Sequence, residues 1–215
     1  MKRIEVVKMS VRSKVLQGIN LFLNRVYIPR RILQMERPLV MHISDTPEEI
    51  YPYLYKLIKR LKPDYLIHTG DMVDNIKLEI VPMLEPDYHR ALEGVINHLE
   101  SSDIQEIYYV SGNHDQRAKI ESLTEKGKVM NDGIIAIENS KFYINHFFVE
   151  ESPKADYYLY GHSFEPKSHR EGEEIRLNGL EAIHVIGLKE NNLEKLPYPL
   201  GTNGFRKMER NYRAL

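Results

Sequence analysis

The chain has 215 residues, enough for one domain with an extension and for a sizeable core. Its 42% apolar and 28% charged content are ordinary for a globular protein, and its lack of cysteine excludes disulfides and thiolate metal sites. No apolar run approaches the roughly 20 residues that span a bilayer, and no signal-peptide pattern opens the chain, so a cytoplasmic protein is expected.

The net charge of −1 conceals an asymmetry. Residues 1–37 carry nine basic groups against Glu5 and Glu36, a surplus of +7, which leaves −8 on the remainder. This stretch reads as a basic N-terminal extension. Val11, Val15, Ile19 and Phe22 fall at helical spacing and suggest a helix docked on its own domain. A basic arm could instead meet a protein partner, a second copy of the chain or nucleic acid.

A main domain is expected over residues 38–195. Its first strand runs from Leu39 to Ser44, and a helix follows, with Ile50, Tyr53, Leu54, Leu57, Ile58 and Leu61 on one face. Thr46 and Glu49 have the form of a capping box around Pro47, while Pro52 marks either a kink or the true helix start. Strands from Tyr65 to Thr69 and from Ile104 to Val110 flank a helix around Tyr88 to Leu99, an alternation that implies a parallel sheet. Ile134–Ile137 and Phe142–Ile144 flank Asn139-Ser140 as a hairpin, and further strands are expected at Asp156–Tyr160 and Ile183–Leu188. The tail, 196–215, reads as irregular.

Polar residues gather where these apolar runs stop. Asp45 ends the first, Gly70-Asp71 the second and Gly112-Asn113-His114-Asp115 the third; His146 and Gly161-His162 follow. In an open parallel sheet such strand ends converge on one rim. Carboxylate, amide and imidazole donors without thiolate suit a divalent ion such as Mn, Fe, Zn or Ni. Gly70 and Gly112 are expected to let the chain turn sharply there. His42 and His68, inside strands, read as structural, and His89 and His98 as helix-surface or packing residues.

The ordered set Asp45, Gly70-Asp71, Gly112-Asn113-His114-Asp115, His146 and Gly161-His162 resembles the calcineurin-like metallophosphoesterases, over roughly Leu39 to Ile186. The resemblance implies a four-layer αββα sandwich of the metallo-dependent phosphatase type, here with an N-terminal helical extension, and two adjacent metals. It implies that Asp71 bridges the metals, that Asn113, His146 and His162 complete one site and that Asp45 belongs to the other. It also implies attack of a metal-bound hydroxide on a phosphomonoester or phosphodiester, with His114 as general acid and Asp74 orienting it.

Two positions depart from the family's pattern. Pro47 stands where the family has a ligand histidine, and Phe164 where it has the second histidine of Gly-His-x-His. Both missing imidazoles belong to one metal, so one firm site is expected and a second weak or absent one. Phe164 would dry that second position, and His169 or His184 could substitute. The same departures leave open a degenerate, non-catalytic member that acts as a scaffold or partner-binding protein. A nucleic-acid processing role for the basic arm rests on charge alone.

Overall fold

Strand β1 (Leu39–Ile43) is buried along its whole length, as a strand covered on both faces must be. The structure, a computed structural model, describes residues 25–78 and 80–206 together with Leu16, Gly18 and Ile19. The helix expected over Val11 to Phe22 therefore lies outside the described residues except at Leu16, Gly18 and Ile19, which are helical.

β1 pairs in parallel with β2 (Tyr65–His68), and β2 with β3 (Glu106–Val110). Ile43, His68 and Tyr109 lie side by side in register, so the loops that follow the three strands leave from a common rim. A short β4 (Lys128–Met130) adds in parallel beyond β3. On the other side β10 (Ile183–Gly187) and then β11 (Asn192–Leu196) pair antiparallel, which makes this six-stranded sheet mixed. A second, five-stranded sheet runs β5-β6-β7-β9-β8. It opens with the hairpin of β5 (Asp132–Ile137) and β6 (Ser140–Asn145), turning through Glu138 at φ 53°. β7 (Tyr157–Tyr160) and β9 (Glu174–Asn178) follow in parallel, with β8 (His169–Glu171) at the edge.

Alternation along the strands builds two cores. Met41, Ile43, Leu66, Ile107 and Tyr109 point to the helices α2 (Tyr51–Leu61), α3 (Glu85–Glu100) and α4 (Arg117–Leu123). Val40, Ile67, Tyr108 and Val110 face the second sheet and meet Phe142, Ile144, Tyr157 and Leu159. Among the described residues the outer face of the second sheet is covered by Tyr143, Ala155, Tyr158 and Val149 rather than by a helix.

The capping box at Thr46 does not form. Its hydroxyl lies 2.6 Å from Tyr51 Oη and 2.7 Å from His68 Nε2, so it is spent on buried tertiary partners. A 3-10 turn (Glu48–Ile50) intervenes, and Pro52 sits in the first turn of α2, where its missing N–H costs nothing. The described part of the stretch after Leu196 holds a one-turn helix, α5 (Thr202–Phe205), followed by the fully buried Arg206. At the other end α1 (Arg30–Leu33) follows Pro29, and part of the basic charge is used within the domain: Arg31 pairs with Glu194 and Arg37 with Asp64.

Candidate metal centre

Three residues at the rim, Asp45, Asp71 and His162, have left-handed backbones at φ 50°, 55° and 64°. Such a conformation costs a side-chain-bearing residue on the order of 1–3 kcal/mol and persists where the surroundings impose it. Asp45 N–H donates to Gly70 O at 2.9 Å and Thr46 N–H to Asp71 O at 3.0 Å, so the loops after β1 and β2 are stitched together. The expected turn at Gly70 is present, at φ 100°. Gly112 has a different reason: a Cβ there would stand 2.1 Å from Asp71 Oδ1, so it is glycine for want of space and not for its φ.

Asn113 Oδ1 is the meeting point. His146 Nε2 lies 2.9 Å from it and His162 Nδ1 3.0 Å. Asp71 Oδ2 is 3.5 Å from the same His146 nitrogen. His146 Nδ1–H donates to Thr69 O at 2.7 Å, which turns Nε2 toward the centre. Donor atoms of Asp45, Asp71 and His146 all fall within 4.8 Å of one another, as do those of Asp71, Asp74 and His114. The five residues expected to bind metal are thus brought together, with His114 and Asp74 beside them. Asp74 has a partner that sequence reading missed: Lys77 Nζ pairs with its Oδ1.

The charges around this point are held by one another. Burial opposes ionisation of Asp71, but the bond and charge of His146 outweigh it and hold the carboxyl at about 2. Burial likewise opposes a charge on His146, and Asp71 outweighs it, raising the imidazole to about 9. Burial, then the charge of Asp45, push Asp74 up to about 8 against the pull of Lys77. Asp74 Oδ2 is buried with no hydrogen-bond partner. One carboxylate, one amide oxygen and two imidazoles facing a common point form a donor set that fits a borderline divalent ion.

The frame around these donors comes largely from residues to which the sequence assigned no role. Asp115 accepts from the N–H groups of Asp71 (2.7 Å), Met72 (3.0 Å) and Gly112 (2.9 Å), which clamps the second and third loops to each other. Tyr88 donates to Asp115 Oδ1, the oxygen that also accepts from Met72, at 3.2 Å. Asp115 is visible as the last residue of the Gly112 motif, but its function as a clamp needs the fold. Asp45 Oδ2 accepts from Ser44 Oγ at 2.6 Å and from His162 N–H at 3.0 Å. His42 and His68 are fully buried; His42 Nε2 is 2.9 Å from Thr69 Oγ1, and His68 braces Thr46. Burial pushes His68 down to about 3, so it stays neutral. Of the proposed substitutes, His184 is stacked on His42 and His169 is exposed, its Nδ1 bonded to Lys167 O; neither stands in the metal-capable groups. Phe164 is 38% exposed.

The profile of the calcineurin-like phosphoesterases matches residues 38–149, just over half of the chain, and includes Asp45, Asp71, Asp74 and Asn113 to His146. The chain belongs to the calcineurin-like phosphoesterase family. A search of curated proteins found no match. Among solved structures, an archaeal phosphodiesterase superposes with a TM-score of 0.55 at 17% identity, over 74% of this chain and 98% of that one. Yfce, a phosphoesterase from E. coli, superposes with a TM-score of 0.50 at 15% identity, over 74% of this chain and 99% of that one. These likenesses agree on the fold, two mixed sheets with helices. Family membership and the clustered donors support a divalent metal at the rim of the first sheet. Among the described residues no helix is long and apolar enough to cross a membrane.

Proposed function

We propose that this family member hydrolyses a phosphomonoester or phosphodiester, with Asp71, Asn113, His146 and His162 holding the principal ion. The observation that carries this reading is the convergence of His146 Nε2 and His162 Nδ1 on Asn113 Oδ1 at 2.9 and 3.0 Å, from three separate segments. When bound, a divalent ion supplies Lewis acidity toward a phosphoryl oxygen and lowers the pKa of water.

The chain's own residues do the remainder. The Asn113 side chain divides its work: Oδ1 faces the two imidazoles, and Nδ2 lies 3.1 Å from His114 Nε2. Asp71 Oδ1 accepts the His114 main-chain N–H at 3.0 Å. His114 is thereby held, half-buried, beside the donor cluster, and its proposed role is to protonate the departing alkoxide. Such a transfer contributes about 10²–10⁴-fold. Asp74 lies beside His114, its Oδ1 being paired with Lys77.

The missing imidazoles at Pro47 and Phe164 favour a second reading, a member that keeps the fold and one ion but serves a protein partner. One assay separates the two. Bis-p-nitrophenyl phosphate and p-nitrophenyl phosphate are offered to the protein with Mn²⁺. Turnover by the wild type, its loss in Asp71→Asn, and a fall of about 10²–10⁴-fold in His114→Ala at unchanged metal content are expected. A chain that binds the ion and turns over neither ester with any divalent metal would leave the partner-binding reading.

A further inference from the structure

Asp45, Asp71 and Asp74 form one carboxylate wall of the centre, each 2% exposed or less. A second divalent ion on that wall would lack the two imidazoles, since Pro47 and Phe164 stand in their places, and would be held weakly by carboxylates and water. His184 is stacked on His42 and His169 points to Lys167, so beyond the principal set His114, which shares a group with Asp71 and Asp74, is the histidine that stands by this wall. With the principal ion bound, Asp45, Asp71 and Asp74, when all are ionised, would outnumber its two charges in a low-dielectric site.

The cation that meets this wall is a side chain. Lys77 is the one buried lysine among the described residues, 5% exposed, and its Nζ pairs with Asp74 Oδ1. An exposed pair three residues apart would signify little. Here both partners are out of water, where an ammonium is retained only if its surroundings need the charge. Asp74 shares a metal-capable group with Asp71 and His114, so its ammonium partner stands at the edge of the same centre.

We propose that Lys77 is the second cation of this centre: its ammonium stands in for a second divalent ion, neutralises the Asp45–Asp71–Asp74 wall and limits the chain to one metal. The inference rests on the metal reading above. A tethered ammonium needs no imidazole ligands and cannot dissociate, which suits a wall with Pro47 and Phe164 beside it. It is a compact charge with three donors and no empty orbital, so it can attract a phosphate but cannot activate water. The labour of a two-ion centre is thus divided, activation resting with the metal and charge balance with the lysine.

Equilibrium dialysis against Mn²⁺, with elemental analysis of the protein, tests this without any activity. The wild type should hold one ion per chain, Lys77→Arg one, and Lys77→Met two at millimolar Mn²⁺. One ion in both the wild type and Lys77→Met would overturn the role of Lys77 while leaving the metal reading intact. Two ions in the wild type would overturn it as well, and none would overturn both. A second measurement needs no variant: the Lys77 ammonium signal in the ¹⁵N NMR spectrum should remain protected from solvent exchange at saturating Zn²⁺. Loss of protection on saturation would mean that an ion displaces the ammonium, and the inference would fall.

Discussion

Arg206 Nε donates to the main-chain carbonyl of Asp45 at 2.7 Å, across 161 residues of chain. The same guanidinium reaches Leu180 O at 2.9 Å, Asn203 Oδ1 at 2.7 Å and Ser44 O at 3.4 Å, and lies over the Tyr198 ring. Tyr198 Oη in turn donates to Gly179 O at 2.8 Å and accepts from Ser44 N–H at 3.2 Å. Arg206 and Tyr198 therefore hold the loop that presents Asp45, and Asp45 holds the His162 amide.

Arg206→Ala should accordingly act on both stability and metal. Each carbonyl left dry costs about 1–3 kcal/mol, so urea denaturation should show a clear loss. Mn²⁺ affinity should fall with it, because His162 loses its anchored neighbour. Arg206→Lys should restore little, since one ammonium cannot serve acceptors spread around a planar fork. Unchanged stability in the alanine variant would refute the clamp.

The contrast between Asp115 and Arg206 shows what was legible beforehand. The strand ends and their glycines could be read because each local pattern, an apolar run followed by Gly-Asp or Gly-Asn-His, already contains its structural consequence. Asp115 stood in such a pattern, and only its bonding was hidden. Arg206 and Lys77 carried no signal, as an arginine near a chain end and a lysine three residues after an aspartate both look like solvated surface. Thr46 misled for a related reason: the local box was complete, but Tyr51 and His68 claim the hydroxyl through the fold.

Gly112→Ala should abolish metal binding and lower stability. The added methyl would meet Asp71 Oδ1 at 2.1 Å and Asp71 N at 2.6 Å, and neither can retreat, since Asp115 grips that backbone. Gly94→Ala is the matching control. It lies in α3 with nothing within 4 Å of the new Cβ, and should stabilise the protein by about 0.5–1 kcal/mol with metal binding untouched. Thermal melts and Mn²⁺ dialysis on the two variants would decide; equal metal content in both would remove the steric argument.

Glu100, at the end of α3, organises the turn before β4. Its carboxylate accepts from the Thr124 hydroxyl and from the N–H groups of Glu125 (2.8 Å), Lys126 (2.9 Å) and Gly127 (3.1 Å). Burial raises its pKa, but these donors outweigh burial and bring it below 4.5. A carboxyl depressed in the folded state contributes stability that is complete above 4.5 and is lost as pH falls through the folded value. Glu100→Gln should therefore lower stability by about 1–2 kcal/mol at neutral pH. The gap to wild type should narrow on acidification. A gap that stays constant from pH 7 to pH 3 would show that the charge is not what holds the turn.

The metal-free centre should itself be pH-sensitive in a way that an ion cancels. His146 is raised from 6.5 to about 9, Asp71 outweighing burial, and Asp74 from 3.8 to about 8, by burial and Asp45. Both groups bind protons more tightly in the folded state, so both contribute stability that is lost as pH rises. For Asp74 the loss runs from 3.8 to about 8, and for His146 from 6.5 to about 9. Metal-free protein should thus melt at a lower temperature at pH 9 than at pH 6.5. An ion at Asp71, Asn113, His146 and His162 competes with the His146 proton, so Mn²⁺ affinity should climb by up to roughly tenfold per pH unit over the same interval. Titration calorimetry in two buffers of different ionisation enthalpy would count the proton released on binding near pH 7.5. With Mn²⁺ saturating, the alkaline loss should largely vanish. A binding constant that is flat across this range would mean that the ion does not use His146 Nε2, and the assignment of the principal site would have to change.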